Sequence, residues 1–321
     1  MCRNVLPERK MVMWFIFALF TIFCWGGSDF FSKLGTNPRD KYSHLRMVTM
    51  VGAVMGLHAI GTMIYEYAVN GTVYELSSLL TYLPVSALYI LAMVLGYAGL
   101  RYIELSVSSP ICNSSGAVSV LLCWLVLKQE MAVPQIFAVV LIILGIFLLS
   151  VVEKKNEDRE RLYRGEVIEK KYQIGFIAIL LPILYCLIDG LGTFADSFVL
   201  EKMEGTYGAS TEFQANTSYE LIFLLCAIVC FIFLVFVKKQ RFNLIEEKEK
   251  GFGAICETAG QFFYIYALAD NAIVAAPMIS SYCVFSVLLS RVFLKEKLSG
   301  KQYLCILAVV IGIAILGVFD A

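Results

Sequence analysis

The stretch Gly99-Leu-Arg-Tyr-Ile-Glu-Leu-Ser-Val-Ser-Ser-Pro110, running on to Leu127-Lys-Gln-Glu130, decides the fold, because it returns. At an offset of 167 residues stands Tyr266-Ala-Leu-Ala-Asp-Asn-Ala-Ile-Val-Ala-Ala-Pro277, which runs on to Leu294-Lys-Glu296. Pro110, Leu127, Lys128, Gln135 and Gly145 recur as Pro277, Leu294, Lys295, Gln302 and Gly312, and Tyr97 matches Tyr264. The repeated stretches are apolar and helix-length. A membrane protein made of two related halves is the sequence pattern of many secondary transporters.

Working outward, the 321-residue chain is 59% hydrophobic and only 16% charged, against about 25% charged in soluble domains. Its formal net charge is zero, so nothing points to nucleic acid as a partner. The partners expected are the lipid bilayer and a small-molecule substrate, with a homodimer also allowed. Apolar runs of about 18 to 25 residues, the length that crosses a hydrocarbon core, alternate with short charged blocks. The first run continues into Trp25-Gly-Gly-Ser-Asp29 without a small-residue cleavage site, so it reads as a span and not as a removable signal. Ten spans are predicted: 11–33, 45–66, 79–100, 105–127, 132–152, 173–199, 214–237, 251–269, 272–294 and 300–319.

The polar stretch 153–172 divides these into two sets of five, giving a first repeat over 1–152, a charged flexible linker, and a second repeat over 173–321. Five is odd, so the second half enters the membrane inverted. The expected fold class is all-α integral membrane, with ten helices as two inverted five-helix repeats. Of the 26 Lys and Arg, 21 fall on the linker side of these spans and five on the side of the termini. Short cytoplasmic loops collect Lys and Arg, which predicts a cytoplasmic linker and termini outside the plasma membrane.

The two copies quoted above, together with Trp25-Gly26 and Lys33 in the first span, resemble the EamA-type repeat of the drug/metabolite transporter superfamily. The resemblance covers essentially the whole chain. It implies a ten-helix permease that moves a small metabolite and is not an enzyme. Described members of that kind usually keep both termini in the cytoplasm, and the charge count here gives the reverse orientation.

An ionisable residue inside a span is a functional candidate, since it costs several kcal/mol unless hydrated or paired. Glu257, Gln261 and Tyr264 share one helix face, and Asp189 lies near the middle of the sixth span beside Gly190 and Gly192. Asp29 and Lys33 sit one turn apart near the end of the first span. Glu220, Asp196 and Arg46 fall near predicted span ends, where reaching to the interface accounts for them. His58 reads as a buried, hydrogen-bonded histidine. The repeat adds Asn113-Ser114-Ser115 and Ser280-Ser281-Tyr282, polar triplets at equivalent places where an inverted repeat puts a midplane site. Trp25, Tyr89, Tyr97, Tyr264 and Tyr282 are candidates for aromatic cavity walls. The expected substrate site therefore draws on Glu257, Gln261, Tyr264, Asp189, Asn113, Ser114, Ser281, Tyr282, Trp25, Asp29 and Tyr97. Acidic depth favours a cationic or zwitterionic substrate such as an amino acid or amine, with proton coupling as an option.

The ten cysteines include no CxxC pair; Cys226 and Cys230 share a face without His or further Cys. No metal site or cofactor is expected. No P-loop, nucleophile elbow or HExxH occurs. The rival reading is a membrane sensor or intramembrane enzyme, which lacks a receiving domain or a ligand cluster here. Gly52-Ala-Val-Met-Gly56 predicts close helix packing, and Asn70-Gly-Thr72 and Asn216-Thr-Ser218 match glycosylation acceptors.

Overall fold

The computed structural model describes residues 8–35, 40, 42–99, 114–164, 176–293 and 298–319. Among the described residues the regular structure is all helical, with no strand. In chain order the helices are α1 (Glu8–Gly35), α2 (Ser43–Asn70), α3 (Leu76–Gly99), α4 (Ser115–Leu125) and α5 (Val133–Arg164). They continue as α6 (Phe176–Tyr207), α7 (Thr211–Ile232), α8 (Lys248–Ile279), α9 (Tyr282–Phe293) and α10 (Gly300–Phe319). A 3₁₀ turn joins α6 to α7, and a π-helical turn, Phe233–Val237, prolongs α7.

Among the described residues, six segments are long and apolar enough to cross a membrane by length and composition. They are Met13–Ser32, Ser43–Asn70, Val133–Val152, Ile183–Val237, Lys248–Ile279 and Gly300–Phe319. The fourth contains the turn between α6 and α7. Leu76–Ala92, Ser115–Leu125 and Tyr282–Phe293 are shorter apolar helices. Large apolar side chains such as Leu57, Leu80, Val133 and Leu304 are well exposed on the outside, as a lipid-facing surface requires. Asp196, Gln214, Glu220 and Gln261 are buried within.

The main helix contacts pair α1 with α8, α3 with α6, α2 with α7, and α5 with α10. Small residues set the approach. A Cβ at Gly52 would stand 2.5 Å from both Phe223 O and Ala227 Cβ, so α2 lies against α7 backbone to backbone. On α5, a Cβ at Gly145 would stand 2.6 Å from Val309 Cγ2 and 3.3 Å from Cys305 O. On α10, a Cβ at Gly312 would stand 2.7 Å from Ile142 Cγ1 and 3.0 Å from Ala138 O. Gln135 caps the start of α5, its Oε1 accepting from Ala132 N at 2.7 Å. Gln302 does the same for α10, accepting from Ser299 N at 2.8 Å. Each is a glutamine at N3 reaching back to the N-cap amide.

Three features depart from the sequence expectation. Helix α5 runs on to Arg164 through the first half of the predicted flexible linker. That stretch is rich in helix formers, and Asn156 Nδ2 donates to Gln302 Oε1 at 3.0 Å. The polar pair Asp270-Asn271 breaks α8 where a span end is expected: Asn271 leaves helical geometry (φ −157°, ψ 76°), and a second helical stretch runs from there to Ile279. The departure is a further break at Ser280-Ser281, inside the predicted span 272–294 and three residues after Pro277, where Ser281 Oγ donates to Met278 O. Finally, Arg46, near the start of α2, does not reach out to the surface. It is buried, bonding Asp40 at 2.9 Å, Glu247 at 3.1 Å and the Arg241 carbonyl at 2.7 Å.

Candidate functional site

A cavity lies in the middle of the bundle, lined by Trp25 of α1, Tyr89 of α3, Ser115 and Ser119 of α4, and Tyr185, Asp189 and Thr193 of α6. Tyr264 of α8, Ser280 of the break and Tyr282 of α9 complete it. Asp189 is thirteen residues into α6, roughly 20 Å along its axis, and Tyr89 and Tyr264 are similarly central in their helices. The cavity is small, with about 60 Å³ of room for water centres.

Each lining group is placed by a local cause. Trp25 fits because Gly260 has no side chain: a Cβ there would stand 2.3 Å from Trp25 Cδ1. The indole ring packs 5.0 Å from the Tyr264 ring and 5.8 Å from the Tyr282 ring, and its N–H is buried without a partner among the described residues. Asp189 is reached by the Ser115 hydroxyl at the start of α4. Gly190 lets α4 approach, since a Cβ there would stand 2.8 Å from Ser115 O. Gly26 does the same for α9, at 3.2 Å from Tyr282 O. Behind the cavity the Tyr89 and Tyr264 hydroxyls bond each other and approach Thr193 Oγ1 at 3.3 and 3.4 Å. The Tyr82 hydroxyl donates to Asp196 Oδ1, and both side chains are fully buried.

Of the residues expected from sequence, Trp25, Asp189, Tyr264 and Tyr282 meet in this cavity, together with the wall candidate Tyr89 and with Ser115 and Ser280 of the two triplets. Glu257 lies one to two turns away against α1, beside the Ser28 hydroxyl and near Asp29. Gln261 is buried with its Nε2 unpartnered among the described residues. Ser281 turns its hydroxyl to Met278, and Ser114 stands just before α4; neither lines the cavity. Asn113 and the Tyr97 side chain lie outside the described residues. Sequence reading missed Tyr185 and Thr193, and it put Asp196 at a span end. Tyr185, Asp189, Thr193 and Asp196 fall at i, i+4, i+8 and i+11, one stripe on α6 that the helical period makes visible.

Glu220 is likewise no interfacial residue. It is fully buried on α7, where His58 Nδ1 meets its two oxygens at 2.8 and 2.9 Å and Asn216 Nδ2 donates at 3.1 Å. That geometry also leaves Asn216, 2% exposed, out of reach of a glycosylating enzyme.

A bundle of apolar helices, polar inside, with a midplane cavity lined from both ends of the sequence, is the build of a membrane transporter. The model of the EamA-like transporter family matches residues 12–151 and again 176–318, and the chain belongs to that family, part of the drug/metabolite transporter superfamily. It is an integral membrane protein. An uncharacterized protein of Methanocaldococcus jannaschii, MJ1333.1, is 28% identical over 137 residues, which span 42% of this chain and 95% of that protein. A protein of known crystal structure superposes with a TM-score of 0.65 at 12% identity, over 96% of this chain and 97% of that one. This last likeness speaks to the fold.

Proposed function

We propose that the protein is a secondary transporter of a small zwitterionic or cationic metabolite, an amino acid or amine, working by alternating access between two inverted five-helix halves. The observation that carries the reading is the midplane cavity, which joins an acidic group to two helix starts. Asp189 offers a carboxylate to an ammonium group. The N-terminal ends of α4 and α9, at Ser115 and Tyr282, bring partial positive charge to the same space. The unpartnered Trp25 N–H is a further donor for a carboxylate. Among the described residues no Lys or Arg lines the cavity, which disfavours phosphorylated anions.

Several features support two inverted halves, divided as 1–152 and 173–321 about the charged segment. The two family matches fall one in each half. The helix contacts keep their pattern when α1–α5 are exchanged for α6–α10: α1 against α8 becomes α6 against α3, and α1 against α9 becomes α6 against α4. Gly145 meets Cys305 and Val309, while Gly312 meets Ala138 and Ile142, and all three matched pairs are 167 residues apart. Ser115 and Tyr282, at that same offset, line one cavity. The relative from Methanocaldococcus jannaschii is about one half long.

In this reading the small cavity is a nearly closed state, and the halves must part to admit substrate. Asp196, held by Tyr82 behind Tyr89 and Tyr264, is the proton-carrying candidate should transport be proton-coupled. Charge asymmetry supports a cytoplasmic 153–172 segment and outside termini at the plasma membrane. A stability screen of purified protein over amines, amino acids, sugars and nucleotides tests the substrate class, because a ligand that binds the folded state raises apparent stability. Amines or amino acids should stabilise the wild type and not the Asp189→Asn variant. Stabilisation by sugars or nucleotides alone would refute the class.

A further inference from the structure

A second crevice opens between α2, α7 and α8, with about 320 Å³ of room for water centres. We propose that it binds an organic ammonium group at a site separate from the central cavity. Its walls are aromatic. The Phe262 ring lies tilted 5.1 Å from the Tyr266 ring and meets the His58 ring edge-on at 5.7 Å, and Phe213 and Tyr65 line the same space. Ring faces attract cations.

The one carboxylate in the lining is an acceptor, and the Thr62, Tyr65 and Tyr266 hydroxyls can accept as well as donate beside the His58 ring. Glu66 lines the crevice, with Asn70 Nδ2 on its Oε2 at 2.6 Å and no Lys or Arg paired to it among the described residues. Asn216 is 2% exposed and its Oδ1 is buried with no partner among the described residues. Its orientation is fixed by chemistry: the amide nitrogen must face the Glu220 carboxylate, so the carbonyl oxygen is what remains. Glu220 behind it is buried and tied to His58. Among the described residues no Lys or Arg lines the crevice. An anion would meet two carboxylates, whereas an ammonium group finds a carboxylate, a carbonyl oxygen and aromatic faces.

The site is also shallow. Glu66 and Thr62 lie four and eight residues from the end of α2, about 6 to 12 Å along the axis, whereas Asp189 is central. A Cβ at Gly61 would meet nothing within 4 Å, so the mouth is open. An ammonium group there belongs either to a soluble amine or to a lipid headgroup.

The test uses the full-length Asp189→Asn protein, so that a defect of the central cavity cannot be mistaken for one here. Titration calorimetry with choline chloride, in a detergent without ammonium groups, should give saturable binding. Glu66→Gln and Phe262→Leu, each checked for a monodisperse folded protein, should weaken it at least tenfold. Glu66→Gln, on a partly exposed side chain, keeps the test open if Phe262→Leu does not fold. Absence of saturable binding, or unchanged affinity in Glu66→Gln, overturns the proposal. Repeating the titration in nanodiscs separates the sources. Choline affinity lower in phosphatidylethanolamine than in phosphatidylglycerol assigns the site to a lipid headgroup, and equal affinity assigns it to a soluble amine.

Discussion

Adding one methyl group at Gly312 or Gly145 should destabilise the bundle, for a reason that can be worked from distances. At Gly312 the new Cβ would stand 2.7 Å from Ile142 Cγ1 and 3.0 Å from Ala138 O. The carbonyl belongs to the α5 ladder and cannot retreat without breaking it. Overpacking of this kind costs about 1–3 kcal/mol, and replacing Gly by Ala in a helix returns at most about 1 kcal/mol. The net loss is up to about 2 kcal/mol. At Gly145 the nearest atom is Val309 Cγ2 at 2.6 Å, with the Cys305 carbonyl more relaxed at 3.3 Å. Val309→Ala removes that methyl, so Gly145→Ala should cost less in the Val309→Ala background than alone, a coupling that a double-mutant cycle reads. Gly205 is the control: nothing lies within 4 Å of a Cβ there, so Gly205→Ala should hold or raise stability. Apparent unfolding temperature in detergent at a fixed scan rate ranks the series. Gly312→Ala and Gly145→Ala both gaining stability as Gly205→Ala does would refute the close α5–α10 contact and the equivalence of the two glycines.

Three more outcomes follow from the same structure. Tyr82→Phe removes the hydroxyl donated to buried Asp196 and should cost about 1.5–3 kcal/mol; part of the loss should vanish in the Tyr82→Phe, Asp196→Asn double variant, read by the same unfolding assay. Glu257→Gln takes a like charge from beside Asp29, so its unfolding temperature should hold or rise, and a fall of several degrees would mark the carboxylate as structural. A cysteine at exposed Lys155, in a background without native cysteines, should resist an impermeant maleimide applied to intact cells and react after permeabilisation; labelling from outside would reverse the proposed orientation.

Much of the fold was legible because apolar run length and the 167-residue offset are local or self-referential signals. Gln135 and Gln302 could be matched from sequence, and in space both cap their helices. The break at Asp270-Asn271 is legible as a polar pair between apolar runs, whereas the second break, at Ser280-Ser281, falls inside one predicted span and is marked only by Pro277 three residues before it. Asp196 and Glu220 were set too shallow because hydropathy ended one span at 199 and began the next at 214. The helices themselves run on through polar Glu201–Tyr207 and start again at Thr211. What anchors these carboxylates, Tyr82 on α3 and His58 on α2, is more than a hundred residues away, and one sequence alone carries no sign of such pairing. In the cavity, Trp25, Asp189, Tyr264 and Tyr282 were visible as deep polar or aromatic positions. Thr193 was not, since its place follows only from the Asp189 stripe on α6.

The most direct test of the account is flux by the purified protein in liposomes. Uptake of an amine or amino acid picked out by the stability screen should be saturable for the wild type. It should fall at least tenfold for Asp189→Asn, whose folding and insertion stay intact. Equal flux by Asp189→Asn would contradict the central site, and absence of flux for every amine and amino acid that stabilises the protein would contradict transport itself.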